Sequence, residues 1–179
     1  MRAAINGMMI PLFALGTAAC DTVGKQMGTS LPAGRTAIAL LKTPDGRDAG
    51  RASVREVEGG LRVTVDASGF APGDHGVHIH AIGRCDAPDF MTSAGHWNPA
   101  GAKHGMLNTM GPHAGDLPNL VIGKDKRGTV GGVVPGASFD SLLDADGSAM
   151  VVHDKPDDLM TDPSGNSGAR IACGVFSQP

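Results

Sequence analysis

The sequence has no tyrosine, one tryptophan and five phenylalanines, so aromatic residues make up only 3% of its 179 positions. A chain this poor in aromatic side chains has to pack its core mainly with aliphatic ones. It also lacks a block of charge of one sign, since 15 basic residues are dispersed among 18 acidic ones. Nucleic-acid binding requires a basic patch, so the sequence predicts no nucleic-acid partner.

No apolar run reaches the roughly 20 residues that a membrane-spanning helix needs. The mostly apolar run 8–19 follows a positive charge at Arg2 and ends in small residues before Cys20. This pattern is typical of a secretory signal, and Cys20 stands where a bacterial lipoprotein is cleaved and lipidated. We predict a signal peptide over residues 1–19, followed by a lipidated Cys20 and a flexible tether over 20–34.

The chain is therefore expected to be exported, either to the periplasm or as a membrane-attached lipoprotein. Ordinary cleavage nearby is the alternative, and it would remove Cys20 or leave it as a free thiol. The other two of the three cysteines are Cys85 and Cys173, an even pair for an oxidising compartment. A bridge between them would contribute about 4–5 kcal/mol on the chain-entropy model.

Glycine and proline are abundant, at 27 and 12 residues, which favours many turns over long helices. Short segments of alternating polarity predict strands at 35–41, 52–58, 61–67, 75–80, 128–134, 149–153 and 171–176. The second and third of these flank Gly59-Gly60, a pattern that indicates a hairpin. About eight short strands predict one all-β domain over residues 35–179, an antiparallel sandwich or barrel.

Two segments, 82–120 and 154–169, lack this alternation. Loops of such length in a compact domain are usually functional or disordered. The first loop contains three of the seven histidines, which favours a functional role.

The segment Val77-His78-Ile79-His80 carries the strongest local signal. Side chains alternate across a strand, so Val77 and Ile79 would face the core, while His78 and His80 would project together from the other face. Two imidazoles so placed can chelate one metal ion. A bare pair of this kind is often a chance surface feature, so the remaining histidines decide its meaning. The same alternation places His75 on the core face, which argues against it as a ligand.

The first loop carries a further set of metal-binding side chains: His96, His104, His113 and Asp116. Three imidazoles and one carboxylate suit a closed, four-coordinate zinc site. His153 ends a predicted strand and could join His78 and His80. Two four-coordinate metals need eight ligand positions, whereas six histidines and Asp116 supply seven. Either one imidazole bridges both metals, or His75 is the eighth ligand.

These residues lie in motifs that resemble those of the copper/zinc superoxide dismutases. The resemblance runs from about Thr36 to Phe176 and rests on five segments, 76–80, 95–99, 115–117, 152–159 and 165–175. It implies an eight-stranded Greek-key β-barrel with an immunoglobulin-like sandwich architecture and two long functional loops. The leader and the short linkage 82–85 are similar to the bacterial exported branch. The implied function is dismutation of superoxide to dioxygen and hydrogen peroxide, protecting the cell envelope.

The resemblance also implies the ligands of the two cofactors, copper and zinc. The implied copper ligands are His78, His80, His96 and His153. The implied zinc ligands are His96, His104, His113 and Asp116. His96 would bridge the metals, release copper and take up a proton during the cycle. Arg170 would attract the superoxide anion, and Asp157 would hold the rings of His78 and His104.

Further expectations follow from the same resemblance. His75 matches a histidine with a structural role, and Cys85 and Cys173 match the family disulfide. The second loop is shorter than in many relatives and carries one lysine, Lys155, against four acidic residues, so steering residues other than Arg170 are not carried over. Three lysines are candidates for that role, Lys103, Lys124 and Lys126. The protein would be a homodimer or a monomer. The alternatives are a copper carrier without turnover and a zinc hydrolase.

Overall fold

The computed structural model describes residue 1 and residues 34–179 of the chain. The predicted signal peptide, Cys20 and nearly all of the tether lie outside the described residues. Nine strands occur in the described part: β1 Thr36–Lys42, β2 Asp48–Val57, β3 Gly60–Ser68, β4 Gly73–His75, β5 Val77–His80, β6 Leu120–Ile122, β7 Arg127–Pro135, β8 Ala149–His153 and β9 Arg170–Val175. Two short helical turns accompany them, the 3₁₀ turn Met91–Ser93 and α1 Phe139–Leu142.

Seven of these strands form one sheet in the order β5-β8-β9-β1-β2-β3-β7. Every pairing is antiparallel, and the sheet curls into a half-barrel. β4 and β6 form a separate two-stranded sheet. The expected all-β, antiparallel barrel fold is therefore confirmed. None of the helices in the described residues has the length and apolarity to cross a membrane.

The hairpins β1-β2-β3 follow directly from the alternating sequence. Ala52 and Val54 of β2 are fully buried, Ser53 between them is half-buried, and the flanking Arg51 and Arg55 are exposed. β2 and β3 pair along their whole lengths, from Gly50↔Ala67 to Val57↔Gly60, so the hairpin at the double glycine is confirmed. The core beneath them is mainly aliphatic, as the shortage of aromatic residues requires.

The predicted strand 75–80 is interrupted at Gly76, which separates β4 from β5. His75 pairs with Leu120 of β6, whereas Val77 pairs with Val152 of β8. A side chain is excluded at this position, because a Cβ at Gly76 would lie only 2.6 Å from Oγ of Ser167 in the second loop. β6 and α1 were not predicted, since three or four residues are too few to show a period.

All four residues of β5 are buried, although a strand normally has one face toward solvent in such a sheet. The first loop covers the second face by running along β5. The NH of Ile79 donates to the carbonyl of Gly115, and the NH of Trp97 donates to the carbonyl of Ile79. These contacts place His96 beside His80 and Asp116 beside His78.

A disulfide joins Cys85 in the first loop to Cys173 in β9, with the Cα atoms 5.7 Å apart, and this predicted bridge is confirmed. The two residues belong to a second, smaller core cluster with Phe90, Ala149 and Val151. The bridge therefore fixes the first loop at the point where it leaves β5 and meets the sheet.

Replacing Cys85 and Cys173 by serine should lower the free energy of unfolding by up to about 4–5 kcal/mol, because the bridge spans 88 residues and restricts the unfolded chain. Urea unfolding of the variant and of the wild type, each with and without reductant, measures the difference. Reductant should destabilise only the wild type. Equal stability of the oxidised proteins would contradict a stabilising bridge.

Candidate metal centre

The fold brings six of the seven histidines into one cluster with the ring of His96 at its centre. Its ring centroid lies 3.9 Å from that of His78, 5.1 Å from those of His80 and His104, and 5.4 Å from that of His113. The His96 side chain is only 3% exposed. Because β5 supplies two of these rings and the loop alongside it supplies three, the pairing of loop with strand builds the cluster.

One group of the cluster consists of the four residues predicted for copper: His78, His80, His96 and His153. One ring nitrogen of each lies within 4.8 Å of the others. Each also has one buried ring nitrogen without a hydrogen-bond partner among the described residues, Nδ1 of His78 and Nε2 of the other three. Buried polar atoms are normally paired, so four orphaned nitrogens converging in one place indicate a ligand that is not a protein group.

The opposite nitrogens of these rings are held by acceptors. Nε2 of His78 lies 2.6 Å from Oδ2 of Asp157, and Nδ1 of His80 lies 2.8 Å from the carbonyl oxygen of Ala94. Nδ1 of His153 has a longer contact, 3.4 Å, with the carbonyl oxygen of Gly168. A carbonyl or carboxylate oxygen accepts, so each of these nitrogens carries the proton. The orphaned nitrogen of each ring is then left with a free lone pair, the form that binds a metal.

Burial keeps three of these imidazoles, His78, His80 and His153, neutral. It lowers the pKa of His78 to about 4, against the opposing effect of Asp157, and lowers the pKa of His153 to about 3. Burial also holds the pKa of His80 well below its ordinary value. Neutral imidazoles suit copper, which binds such sites most tightly among the divalent first-row metals. These four residues therefore fit the copper that the sequence motifs imply.

The second group surrounds Oδ1 of Asp116. This atom lies 2.9 Å from Nδ1 of His96, 3.1 Å from Nδ1 of His104 and 3.4 Å from Nδ1 of His113. Nδ1 of His113 also lies 3.4 Å from Nδ1 of His96. A tetrahedral zinc ion with bonds near 2.0–2.1 Å requires neighbouring ligand atoms about 3.3 Å apart. The four separations given, 2.9 to 3.4 Å among the residues predicted for zinc, are thus compatible with the ion.

His78 also lies within 4.8 Å of His96, His104 and Asp116 and could be counted in the second group instead. Both of its nitrogens have other roles, however. Nε2 donates to Asp157, and Nδ1 is the atom orphaned on the copper side. His113, whose Nδ1 contacts both Asp116 and His96, is therefore the better fourth member of this group.

The second group favours a positive charge. Burial opposes ionisation of Asp116, yet His104, His96 and the NH of Gly105 hold the pKa of its carboxyl well below the usual range. Burial would likewise lower the pKa of His104, but Asp116 and Asp157 raise it to about 9. Buried carboxylates require a cationic partner, and a divalent cation supplies it better than a proton.

Asp157 links the two groups, as the resemblance implied. Its side chain is fully buried, with Oδ2 on Nε2 of His78 and Oδ1 at 3.0 Å from Nε2 of His104. The second loop approaches this carboxylate so closely at Gly165 that a Cβ there would lie 1.8 Å from Oδ1. Gly165 also has a φ of +61°, a conformation that side chains rarely adopt.

His75 belongs to neither group. Its Nδ1 lies 2.7 Å from the carbonyl oxygen of His153, and its Nε2 lies 3.0 Å from that of Ala71. Both nitrogens therefore face backbone, and the option of His75 as the eighth ligand finds no support in this geometry. The bridging arrangement has support, since Nδ1 of His96 faces the second group while its Nε2 is orphaned on the side of the first.

Arg170 is fixed beside the first group by the first loop. Its guanidinium donates to the carbonyl oxygens of Phe90 and Ala94, at 2.8 and 2.7 Å, and to Oγ of Ser93 at 2.9 Å. The carbonyl of Ala94 also holds His80, so one backbone group positions both side chains. Phe90 and Ala94 both have positive φ values, 55° and 61°, which residues other than glycine seldom adopt.

Sequence reasoning missed the residues that hold Arg170. Phe90 and Ala94 act through backbone carbonyls, which every residue has, and a single serine such as Ser93 forms no pattern. The lysines suggested for steering have different surroundings. Lys103 is paired with Asp162, its Nζ 3.0 Å from the carboxylate. Lys124 and Lys126 lie in the turn between β6 and β7. Their steering role remains a prediction.

The antiparallel β-barrel and its two adjacent ligand groups, which share one imidazole, define a metalloprotein with a two-metal centre. Comparison with protein families identifies the family. Residues 49–176 match the family model described as copper/zinc superoxide dismutase (SODC), and the chain belongs to that family. Copper and zinc are the metals of this family, and the two ligand groups fit them.

Two similar relatives are bacterial proteins. "Superoxide dismutase [Cu-Zn] 1" of Aquifex aeolicus is 43% identical over 138 residues, which cover 73% of this chain and 80% of the relative. "Superoxide dismutase [Cu-Zn]" of Caulobacter vibrioides is 40% identical over 148 residues, which cover 79% and 85%. Among solved structures, a SOD-like protein from Bacillus subtilis is 39% identical with a TM-score of 0.72, covering 77% of this chain and 96% of that one.

Acid should release zinc before copper. Protons compete readily for His104 on the zinc side, where the pKa is raised to about 9, whereas His78 and His153 on the copper side resist protonation down to about pH 4 and 3. Dialysis of the metal-loaded protein at stepwise lower pH, followed by metal analysis, tests this order. Loss of copper at a higher pH than zinc would contradict the assignment of the two groups.

Proposed function

We propose that this protein dismutates superoxide to dioxygen and hydrogen peroxide. Copper would be held by Nδ1 of His78 and Nε2 of His80, His96 and His153. Zinc would be held by Nδ1 of His96, His104 and His113 with Oδ1 of Asp116. The observation that carries this proposal is His96, whose two ring nitrogens face two different ligand groups. When bound, copper supplies the one-electron chemistry of dismutation, which zinc cannot supply because it has one oxidation state.

Among the ligands, His96 would be the one that carries a proton. Its Nδ1 is kept on the zinc side by Asp116, so Nε2 is the atom free to bind copper or to carry a proton to the reduced substrate. Its surroundings are rigid, because the NH of Trp97, the next residue, is bonded to β5. A proton carried at Nε2 would therefore be delivered at a fixed place beside the other three copper ligands.

Arg170 would attract and position the substrate. The chain has a formal net charge of −3, so an anion must be attracted by a local positive field and not by the protein as a whole. The guanidinium of Arg170 is held by three contacts to the first loop, one of them shared with His80. Its charge is thus held in one place at the edge of the copper group, whereas the side chain of an ordinary surface arginine moves freely.

The disulfide supports export, because such bridges persist in oxidising compartments. We therefore place the protein in the bacterial periplasm or on a membrane facing it, with Cys20 as the lipidation site, where it would protect the envelope from superoxide. Mass measurement of the mature N-terminus tests this part of the proposal. A mature chain that starts at Cys20 with acyl mass supports it, and a chain that starts elsewhere contradicts lipidation.

Activity and metal content can be tested together. The purified protein loaded with copper and zinc should dismutate superoxide, and the protein loaded with zinc alone should not. Copper binding without dismutation would favour a copper carrier. A hydrolytic activity of the zinc-only protein would favour a zinc hydrolase.

Replacing Arg170 by glutamate should leave both metals bound and lower kcat/KM at low salt by on the order of tenfold or more, because the variant repels the anion that the wild type attracts. Pulse-radiolysis rates at several ionic strengths measure the effect. The difference from the wild type should shrink as salt screens the charge.

The matched control is Arg84→Glu, an equal charge change at an exposed arginine of the first loop that pairs only with Asp86 among the described residues. This control should keep most of the activity. Equal losses in the two variants would assign the effect to net charge and would contradict a specific role of Arg170.

A further inference from the structure

The second loop meets the first loop directly over the zinc group. The NH of Leu107 donates to the carbonyl of Leu159, and the side-chain amide of Asn108 lies 3.4 Å from the carbonyl oxygen of Met160. Two residues further on, Asp162 reaches into the first loop. The contact between the loops therefore ends at an acidic side chain that the mechanism above does not use.

The carboxylate of Asp162 contacts the first loop at three places. Its Oδ1 accepts from the backbone NH of His104 at 2.9 Å, and its Oδ2 lies 3.0 Å from Nζ of Lys103. The same Oδ1 is 3.9 Å from Nε2 of His113. Asp162 is thus the residue of the second loop that touches both His104 and His113, the two zinc-side histidines that do not bridge.

These contacts show that His104 and His113 are held in corresponding ways. His104 and His113 each turn Nδ1 toward Asp116, so their Nε2 atoms point outward. The outward nitrogen of His104 meets Asp157, and that of His113 faces Asp162. A carboxylate behind a metal-binding imidazole fixes its tautomer and ring orientation and raises its basicity. At 3.9 Å the second of these contacts is electrostatic, longer than a hydrogen bond.

We propose that Asp162 is a positioning residue for the zinc site, orienting His113 and anchoring the backbone of His104. The ammonium of Lys103 neutralises the outer oxygen of this carboxylate, so Lys103 serves the same unit. Zinc retention would then depend on contact between the two loops, as well as on the four ligands. This inference rests on the zinc ligands given under the proposed function.

The test compares Asp162→Asn with Asp158→Asn in the full mature chain. Asp158 is the matched control because its carboxylate stays within the second loop, accepting from the backbone NH groups of Met160 and Thr161 and from Asn166. Each variant loses one negative charge, and in each the amide oxygen can still accept from the backbone. Only Asp162 contacts the zinc-side histidines.

Zinc affinity, measured by competition with a chelator, should fall by about tenfold or more in Asp162→Asn and remain near wild type in Asp158→Asn. Asp162→Ala should lose more than Asp162→Asn, because an amide oxygen can still accept from the NH of His104. With cobalt(II) in place of zinc, the visible absorption should change in Asp162→Asn, since that spectrum reports ligand geometry.

The His113→Ala variant separates this inference from the function on which it rests. Should His113→Ala leave zinc affinity and the cobalt spectrum unchanged, the proposed zinc ligands are wrong. Should His113→Ala lose zinc while Asp162→Asn behaves like the wild type, the ligands stand and the role of Asp162 is wrong. Equal losses in Asp162→Asn and Asp158→Asn would show a general loosening of the loop, which also overturns the proposal.

Discussion

Six imidazoles and two carboxylates share one region of this molecule from which water is almost excluded. Polar groups in such a place are costly unless they are paired. Part of this pairing comes from the protein, since the outward-facing nitrogens of His78, His80 and His104 each meet a carboxylate or a carbonyl. The inward-facing atoms are left to each other, and they include four orphaned nitrogens. Cations at the two inner positions satisfy this arrangement, and the rest of the structure keeps it in place.

The two ligand groups differ in charge, and this difference suits their metals. Three members of the copper group, His78, His80 and His153, are imidazoles whose pKa values are lowered by burial, so they add no charge beside a metal that must change oxidation state. The zinc group contains Asp116 and is backed by Asp157, so it holds a permanent cation in a negative setting. His96 belongs to both groups, which explains why its ring lies at the centre of the cluster.

Long irregular loops carry most of these residues, and contacts with the strands and between the loops hold them in place. The first loop is bonded to β5 along residues 96–97 and 115–116, and the disulfide joins it to β9. The second loop is held by its own Asp157, which contacts His78 of β5, and by Asp162 at its contact with the first loop. Arg170 of β9 connects the sheet to the first loop once more, because it donates hydrogen bonds to Phe90, Ser93 and Ala94.

Much of this could be predicted from the sequence, because its signals are local. Alternation gave the hairpin strands β1, β2 and β3 to within a few residues, and it placed His78 and His80 on one side of β5. Metal-binding side chains are rare enough that their clustering in the first loop indicated a zinc site. The family motifs added the pairing of Cys85 with Cys173, which the structure contains.

Other features depended on contacts between distant segments, which no local pattern encodes. Position 76 accepts only glycine because Ser167 leaves no room for a Cβ, and β6 exists because residues 120–122 meet β4. The carbonyls that hold Arg170 and the carboxylate of Asp162 act through their position, so their residue types carried no signal. The sequence by itself determined which side chains were available for two metals. Only the tertiary structure decided which nitrogen of each ring faces inward, because that choice is made by the acceptor behind the ring.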